Sequence, residues 1–294
     1  RVSTARDVLR YPAVRRYLLS TALAAVGLNI LVTVLFKQAF DITGNTLAIG
    51  FIGLAQFVPA VMLVLVSGWV ADRFDRRRVT ALFLFARAVC AAGFVVYSQL
   101  EPSAVWPLFA IAFVFGAADA MLAPSRRSIA PLLAPPEVFP QVVALWTATF
   151  TASAIVGPVI GGFLYSVVPS EAYALAALLE FAAIVPILLI GYAREPERIT
   201  DRPTIHTAME GLRFVRRTPV VFGTISLDLF AVLFGGAIAL IPAVASDRLG
   251  VGDIAYGWLR AAPGIGAAAM AIWLAVRPVT RRVGPTLLAV VFVF

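Results

Sequence analysis

Eight apolar runs of about 20 residues or more follow one another along this 294-residue chain, separated by short charged or turn-forming stretches. They run approximately Tyr17 to Phe36, Leu47 to Ala71, Val79 to Tyr97, Ala104 to Ala123, Val138 to Val168, Ala172 to Tyr192, Val220 to Ala245 and Ile254 to Val276. A ninth begins at Pro285 and reaches Phe294. A hydrocarbon core of roughly 30 Å is crossed by about 20 helical residues. Backbone polar groups have no water partner there, so a span is either a helix or a strand of a closed barrel, and barrel strands are about ten residues of alternating polarity. Runs this long and this evenly apolar predict helices. The chain is therefore expected to be an all-α polytopic membrane protein. Composition agrees, since 61% hydrophobic against 14% charged residues leaves too few polar groups to cover a water-soluble globule.

A formal net charge of +8 invites a nucleic-acid reading, but the positions of the charges point elsewhere. If the amino terminus is cytoplasmic, 20 of the 24 basic residues fall in segments on that same side of the membrane. The other four are Lys37 and Arg248, assigned to outer loops, and Arg87 and Arg260, inside helices. The positive-inside rule then predicts a multi-pass protein of the plasma (cytoplasmic) membrane with a cytoplasmic amino terminus, in contact with membrane lipid and with no nucleic-acid partner. The single cysteine, Cys90, excludes an internal disulfide and a cysteine-based metal site. The lone His206 sits in a basic segment between the sixth and seventh runs, and no metal spacing, phosphate loop or nucleophile-base pattern is present. No cofactor and no enzymatic activity are expected. The first run lacks a small-residue cleavage site, so no cleavable signal peptide is expected. Because the ten residues from Pro285 to Phe294 are too few to cross a bilayer, the sequence reads as a longer protein truncated after about eight and a half helices.

Two short phrases recur at one spacing. Arg10, Tyr11, Pro12 before the first run return as Arg217, Thr218, Pro219 before the seventh, and Ala48 to Ile52 return as Ala255 to Leu259, both 207 positions further on. Arg76 and Arg77 are echoed by Arg281 and Arg282. A repeat that spans six helices, an even number, gives two halves of the same orientation, the parallel repeat of twelve-helix transporters.

Two motifs carry a family resemblance. Gly68, Trp69, Val70, Ala71, Asp72, Arg73, Phe74, Asp75, Arg76, Arg77, Arg78 resembles the loop 2-3 signature of the major facilitator superfamily. Gly157, Pro158, Val159, Ile160, Gly161, Gly162 resembles the helix 5 signature of its drug-exporting members. Gln56 to Pro59 and Leu259 to Pro263 are similar to the branch that contains the enterobactin exporter. The resemblance implies two six-helix bundles: residues 1–192 as the first, 193–218 as a cytoplasmic connection, and 219–294 as the start of the second. It also implies a cytoplasmic latch at Gly68, Asp72, Arg73, Arg76 and Arg77, and export rather than uptake from Gly157, Pro158, Gly161 and Gly162. Two departures stand out. Asp75 occupies a position usually Gly, and Ala112 stands where proton antiporters of the superfamily often carry Arg.

Ionisable groups inside membrane helices are costly and mark pathways or partners. At about 1.5 Å per residue, Asp228 and Glu180 each lie about 13 Å from a helix end, close to the midplane, and Arg260 about 10 Å inside the eighth run. These three are the candidate substrate and proton sites. Arg87 and Asp119 lie at similar depths and are expected to form a structural ion pair. Asn29, Gln56 and Thr147 are possible cavity groups. Together these features predict a monomeric secondary active transporter that exports small molecules such as drugs or siderophores in exchange for protons. An uptake permease on the same fold and a non-transporting receptor or assembly factor are the alternatives.

Overall fold

The computed structural model describes residues 8–100, 104–192, 213, 215–276, 284, 286 and 288–290. Helix boundaries follow local chemistry. α1 (Pro12–Thr43) opens on a proline, whose missing N–H costs nothing in a first turn, and stops at Gly44. Gly44 adopts the left-handed region at φ 61°, and its N–H reaches the Phe40 carbonyl at 2.7 Å. Asn45 then starts α2 (Thr46–Arg73) by accepting the Leu47 N–H at 2.9 Å, so two residues make the whole turn. At the opposite end Asp75 does the same for α3 (Arg76–Gln99), accepting the Arg77 N–H at 2.9 Å. α4 (Trp106–Arg127), α5 (Phe139–Val167) and α6 (Pro169–Leu188), the last interrupted at Ala183, follow. α7 (Pro219–Phe234) and α8 (Asp253–Val276) come after the basic connection. Among the described residues six helices, α1 to α6, are long and apolar enough to cross a membrane.

α1 stands at the centre and packs on α5 and α6, α3 packs on α4 and α6, and α2 lies along α4. Ile30, Leu31, Val34 and Leu35 of α1 meet Phe94 of α3, Leu108 and Phe115 of α4 and Tyr173 of α6 in one dry core, where Phe94 and Tyr173 stack at 5.3 Å. A second cluster joins Val14 and Tyr17 to Leu84, Leu122, Leu133 and Ile187 nearer the charged loop. In lipid such packing rests on dispersion between closely fitting surfaces, because the acyl chains are as apolar as the side chains. The outward face of α2 shows this: Leu54, Phe57, Val61 and Met62 are all more than half exposed. An apolar face of this kind suits acyl chains, and in water it would drive association.

Two segments differ from the sequence expectation. α1 continues beyond Phe36 to Thr43, so Lys37 belongs to a helix and is buried rather than lying in an outer loop. The helix continues because Lys37 finds carboxylates within reach. The seventh run, expected as one helix from Val220 to Ala245, ends as α-helix at Phe234. It proceeds through a tighter 3-10 segment (Gly235–Leu240), a single turn (Ile241–Ala243) and a wider π turn (Val244–Arg248) that includes Arg248. Gly235 and Gly236 favour helix poorly, and Pro242 removes a backbone donor. The repeat coincides with element starts: Pro12 and Pro219 are the first residues of α1 and α7, and Ala48 and Ala255 lie in the first turns of α2 and α8. His206, Arg281 and Arg282 lie outside the described residues, as does the side chain of Asp228.

Candidate functional site

Near the middle of α3, Arg87 is only 1% exposed and gathers two carboxylates from two other helices. Its Nη1 donates to Asp119 of α4 at 2.6 Å, and its Nη2 donates to Glu180 of α6. Glu180 is completely buried, whereas the Asp119 side chain is 45% exposed. The guanidinium also lies 5.1 Å from the centre of the Phe115 ring. Two polar atoms of this cluster, Arg87 Nε and Glu180 Oε2, have no partner among the described residues. Arg126 of α4 stands behind it, donating to the Thr21 carbonyl at 3.2 Å. Thus Arg87 and Asp119, paired in the sequence reading, and Glu180, placed there among the substrate and proton groups, form one cluster tying α3, α4 and α6 together.

The glycine motif of α5 occupies a second junction. A Cβ at Gly157 would lie 2.4 Å from Asn29 Cβ, and one at Gly161 would lie 3.3 Å from the Ile30 carbonyl, so this face of α5 meets α1 backbone to backbone. A Cβ at Gly162 would lie 2.7 Å from Gly257 Cα of α8, and one at Gly257 would lie 2.6 Å from the Pro158 carbonyl. Small residues on both partners permit this approach. Arg260, one turn along α8 from Tyr256, reaches α1: its Nε donates to Thr33 Oγ1 at 3.0 Å, and it stacks 5.0 Å from the Phe36 ring centre. Its Nη1 is buried with no partner among the described residues. Tyr256 donates to the Thr33 carbonyl at 2.9 Å. Lys37, which the sequence left in a loop, pairs with Asp41 at 2.5 Å and with Asp253 of α8 at 3.1 Å. The i, i+4 spacing of Lys37 and Asp41 next to an apolar run was the available signal.

At the charged end, Arg77 pairs with Asp75 at 2.8 Å, donates to the Ile190 carbonyl at 2.7 Å and lies 4.5 Å from the Tyr192 ring centre. The Arg77 hydrogen bonds hold the Asp75 carboxyl below the usual carboxylate range. Burial pushes the Tyr192 phenol up to about 12. Arg76 donates to the Ser128 carbonyl at 3.2 Å and lies 3.9 Å from Asp72, while Arg73 stacks on Trp69. A Cβ at Gly68 would meet nothing within 4 Å among the described residues. A cavity of about 580 Å³ opens beside the loop, lined by Val70, Arg73, Phe74, Asp75 and Arg78 among others. Another of about 360 Å³ is lined by Tyr17, Arg127, Phe139 and Trp146. Asn29 bonds back to the Ala25 carbonyl at 2.8 Å, Gln56 Nε2 is buried without a partner among the described residues, and Thr147 is exposed. No cluster of three or more potential metal ligands occurs among the described residues.

Membrane-length apolar helices with a buried ion cluster at mid-depth and a glycine-lined helix junction define a polytopic helical membrane protein. The family model of the Major Facilitator Superfamily matches residues 17–294, and the chain belongs to that family. It is 27% identical to the uncharacterized MFS-type transporter YfiS of Bacillus subtilis, over 85% of this chain and 60% of the relative. It is 24% identical to macrolide efflux protein A of Streptococcus pyogenes, over 70% of this chain and 52% of the relative. Its fold is similar to the crystal structure of a bacterial homologue of the human lysosomal transporter Spinster, with a TM-score of 0.67 and 17% identity, covering 90% of this chain and 62% of that one. The chain thus spans between half and two thirds of the length of these relatives.

Proposed function

We propose that this chain belongs to a secondary active exporter of the plasma membrane that moves small molecules outward by alternating access, in exchange for protons. In this reading residues 1–192 form the first bundle, 193–218 the cytoplasmic connection, and 219–294 the start of the second bundle. The amino terminus and the Asp75 loop face the cytoplasm.

The observation that carries the reading is the seat of the α5 motif. Gly157 and Gly161 meet α1 on one face of α5 while Gly162, turned by about 100°, meets α8 on the next, so α5 packs the first bundle against the second over the half toward Gly44. Contacts named above between α8 and the rest lie from the middle of α5 toward that end. Gly68, Asp72, Arg73, Arg76 and Arg77 would engage when the cytoplasmic side closes. The name of macrolide efflux protein A adds support for export. Asp228, Glu180 and Arg260 are the substrate and proton groups of the proposal, with Arg260 the contact for an anionic substrate or the counter-ion of Asp228. Glu180, with one oxygen on Arg87 and one unpaired, and Asp119, half exposed on the other arm of Arg87, are arranged to pass a proton between a buried and an accessible carboxylate.

The test is flux in inside-out vesicles containing the full-length protein, with macrolides, other drugs and siderophores as candidates. Accumulation that collapses with an uncoupler, and that Asp228→Asn abolishes, is the expected result. Accumulation in whole cells alone indicates an uptake permease. An Asp228→Asn protein with no phenotype beyond folding indicates a receptor or assembly factor.

A further inference from the structure

On α1, Thr33, Lys37 and Asp41 succeed one another at four-residue spacing and so share one face, as do Asp253, Tyr256 and Arg260 on α8 at spacings of three and four. The two faces meet as a polar zipper: Lys37 to Asp253 at 3.1 Å, Tyr256 to the Thr33 carbonyl at 2.9 Å, and Arg260 to Thr33 Oγ1 at 3.0 Å. It crosses between the proposed bundles, since α1 belongs to the first and α8 to the second.

We propose that Lys37 is the pin of a reversible outer gate, holding one carboxylate permanently and the other only while the gate is shut. The permanent partner is Asp41, on the same helix at 2.5 Å, whose second oxygen accepts the Tyr165 hydroxyl of α5 at 2.8 Å. All three residues lie in one bundle, so this pair travels together when the bundles separate. The conditional partner is Asp253 on α8. Stripping a buried ammonium of every counter-ion is among the costliest changes a packed protein can undergo, and Lys37 is only 7% exposed. Asp41 prevents that, so opening breaks one ion pair without leaving the cation bare. Asp253 is protected in turn: it is the first residue of α8, where the exposed N–H groups and the positive end of the helix dipole favour a carboxylate. Each ion of the breaking pair keeps a second stabilising environment, and this makes the contact a latch that can be made and broken in every cycle. The gate rests on the bundle assignment proposed above, but not on substrate or transport direction.

The experiment reads gate opening directly. In full-length protein carrying Cys90→Ala, a reporter cysteine is introduced by Ala243→Cys. Ala243 is 9% exposed and packs with Phe40 of α1 and Ile49 of α2. Intact cells are treated from outside with a membrane-impermeant maleimide, and the labelling rate is measured. Asp253→Asn removes the conditional partner and is expected to raise the rate by about threefold or more. Asp41→Asn leaves Lys37 dependent on Asp253, ties the gate shut and is expected to lower it. Any other pair of outcomes, including a rate unchanged in both or raised in both, overturns the proposal. Should Asp253→Asn not reach the membrane, Tyr256→Phe, which removes only the hydroxyl at Thr33, takes its place with the same expected rise. Because labelling needs no substrate, an absence of export leaves this readout intact.

Discussion

Arg87 is a large cationic side chain shut almost wholly away from solvent. Enclosed at 1% exposure and bonded to two carboxylates, it supplies the hydrogen bond that the fully buried Glu180 carboxylate has among the described residues. Removing one member of a buried pair leaves the other charge uncompensated, at a cost of about 3–5 kcal/mol. Arg87→Leu is therefore expected to lower stability by about that amount, and Arg87→Leu combined with Glu180→Leu to recover most of it. Thermal unfolding of purified protein in detergent measures both. Asp75 offers a milder case with a defined pH dependence. It caps α3 and accepts from Arg77, so Asp75→Ala should cost about 1 kcal/mol at neutral pH. Its carboxyl is held below the unfolded value, so the stabilisation is complete above about pH 5 and is lost as pH falls through the folded value. The gap between wild type and Asp75→Ala should accordingly stay constant from pH 5 to pH 8, by about 1 kcal/mol, and narrow below about pH 4. Tm measured across that range decides it.

At the scale of elements, helix contacts divide by how closely the backbones meet. A Cβ at Gly116 of α4 would lie 2.6 Å from the Gln56 backbone of α2, and one at Gly162 would lie 2.6 Å from the Asp253 carbonyl of α8. Neither neighbour is the movable end of a side chain, so an added methyl must push two helices apart, at about 1–3 kcal/mol. Gly116→Ala is expected to lower the unfolding temperature, because α2 and α4 lie against each other along much of their length. Gly162→Ala should instead loosen the α5–α8 junction, read as faster outside labelling of Ala243→Cys with a smaller loss of stability. Gly68→Ala meets nothing within 4 Å among the described residues and should leave their packing, and so the unfolding temperature of this chain, unchanged. The asymmetry among these glycines was invisible in the sequence, where all sit in similar apolar or motif surroundings.

The whole molecule is organised by its two ends. Gly44 and Asn45 turn the chain at one and Asp75 and its arginines at the other, the end that the proposed orientation puts in the cytoplasm. A cysteine introduced at Asn45 should react with an impermeant reagent in intact cells, and one at Arg78 only after permeabilisation; the reverse pattern would invert the proposed orientation. The all-helical class, the approximate limits of α1 to α6 and the family were legible because each depends on local patterns: run length, Gly and Pro punctuation, and two contiguous motifs. Lys37 was misplaced for an equally physical reason. A charge at the edge of an apolar run looks like a loop until its partners are known, and Asp253 lies 216 positions further along the chain. Arg87 and Asp119 could be paired from their similar depths, but Glu180 could not be joined to them from the sequence, since three helices had to be packed first. Sequence alone determined that this chain forms apolar helices threaded through a bilayer, because the cost of unpaired backbone in lipid allows a run of 20 apolar residues little else. Only tertiary packing decided which charges share a counter-ion and which glycines touch, because those depend on side chains brought together from far along the chain at contact range.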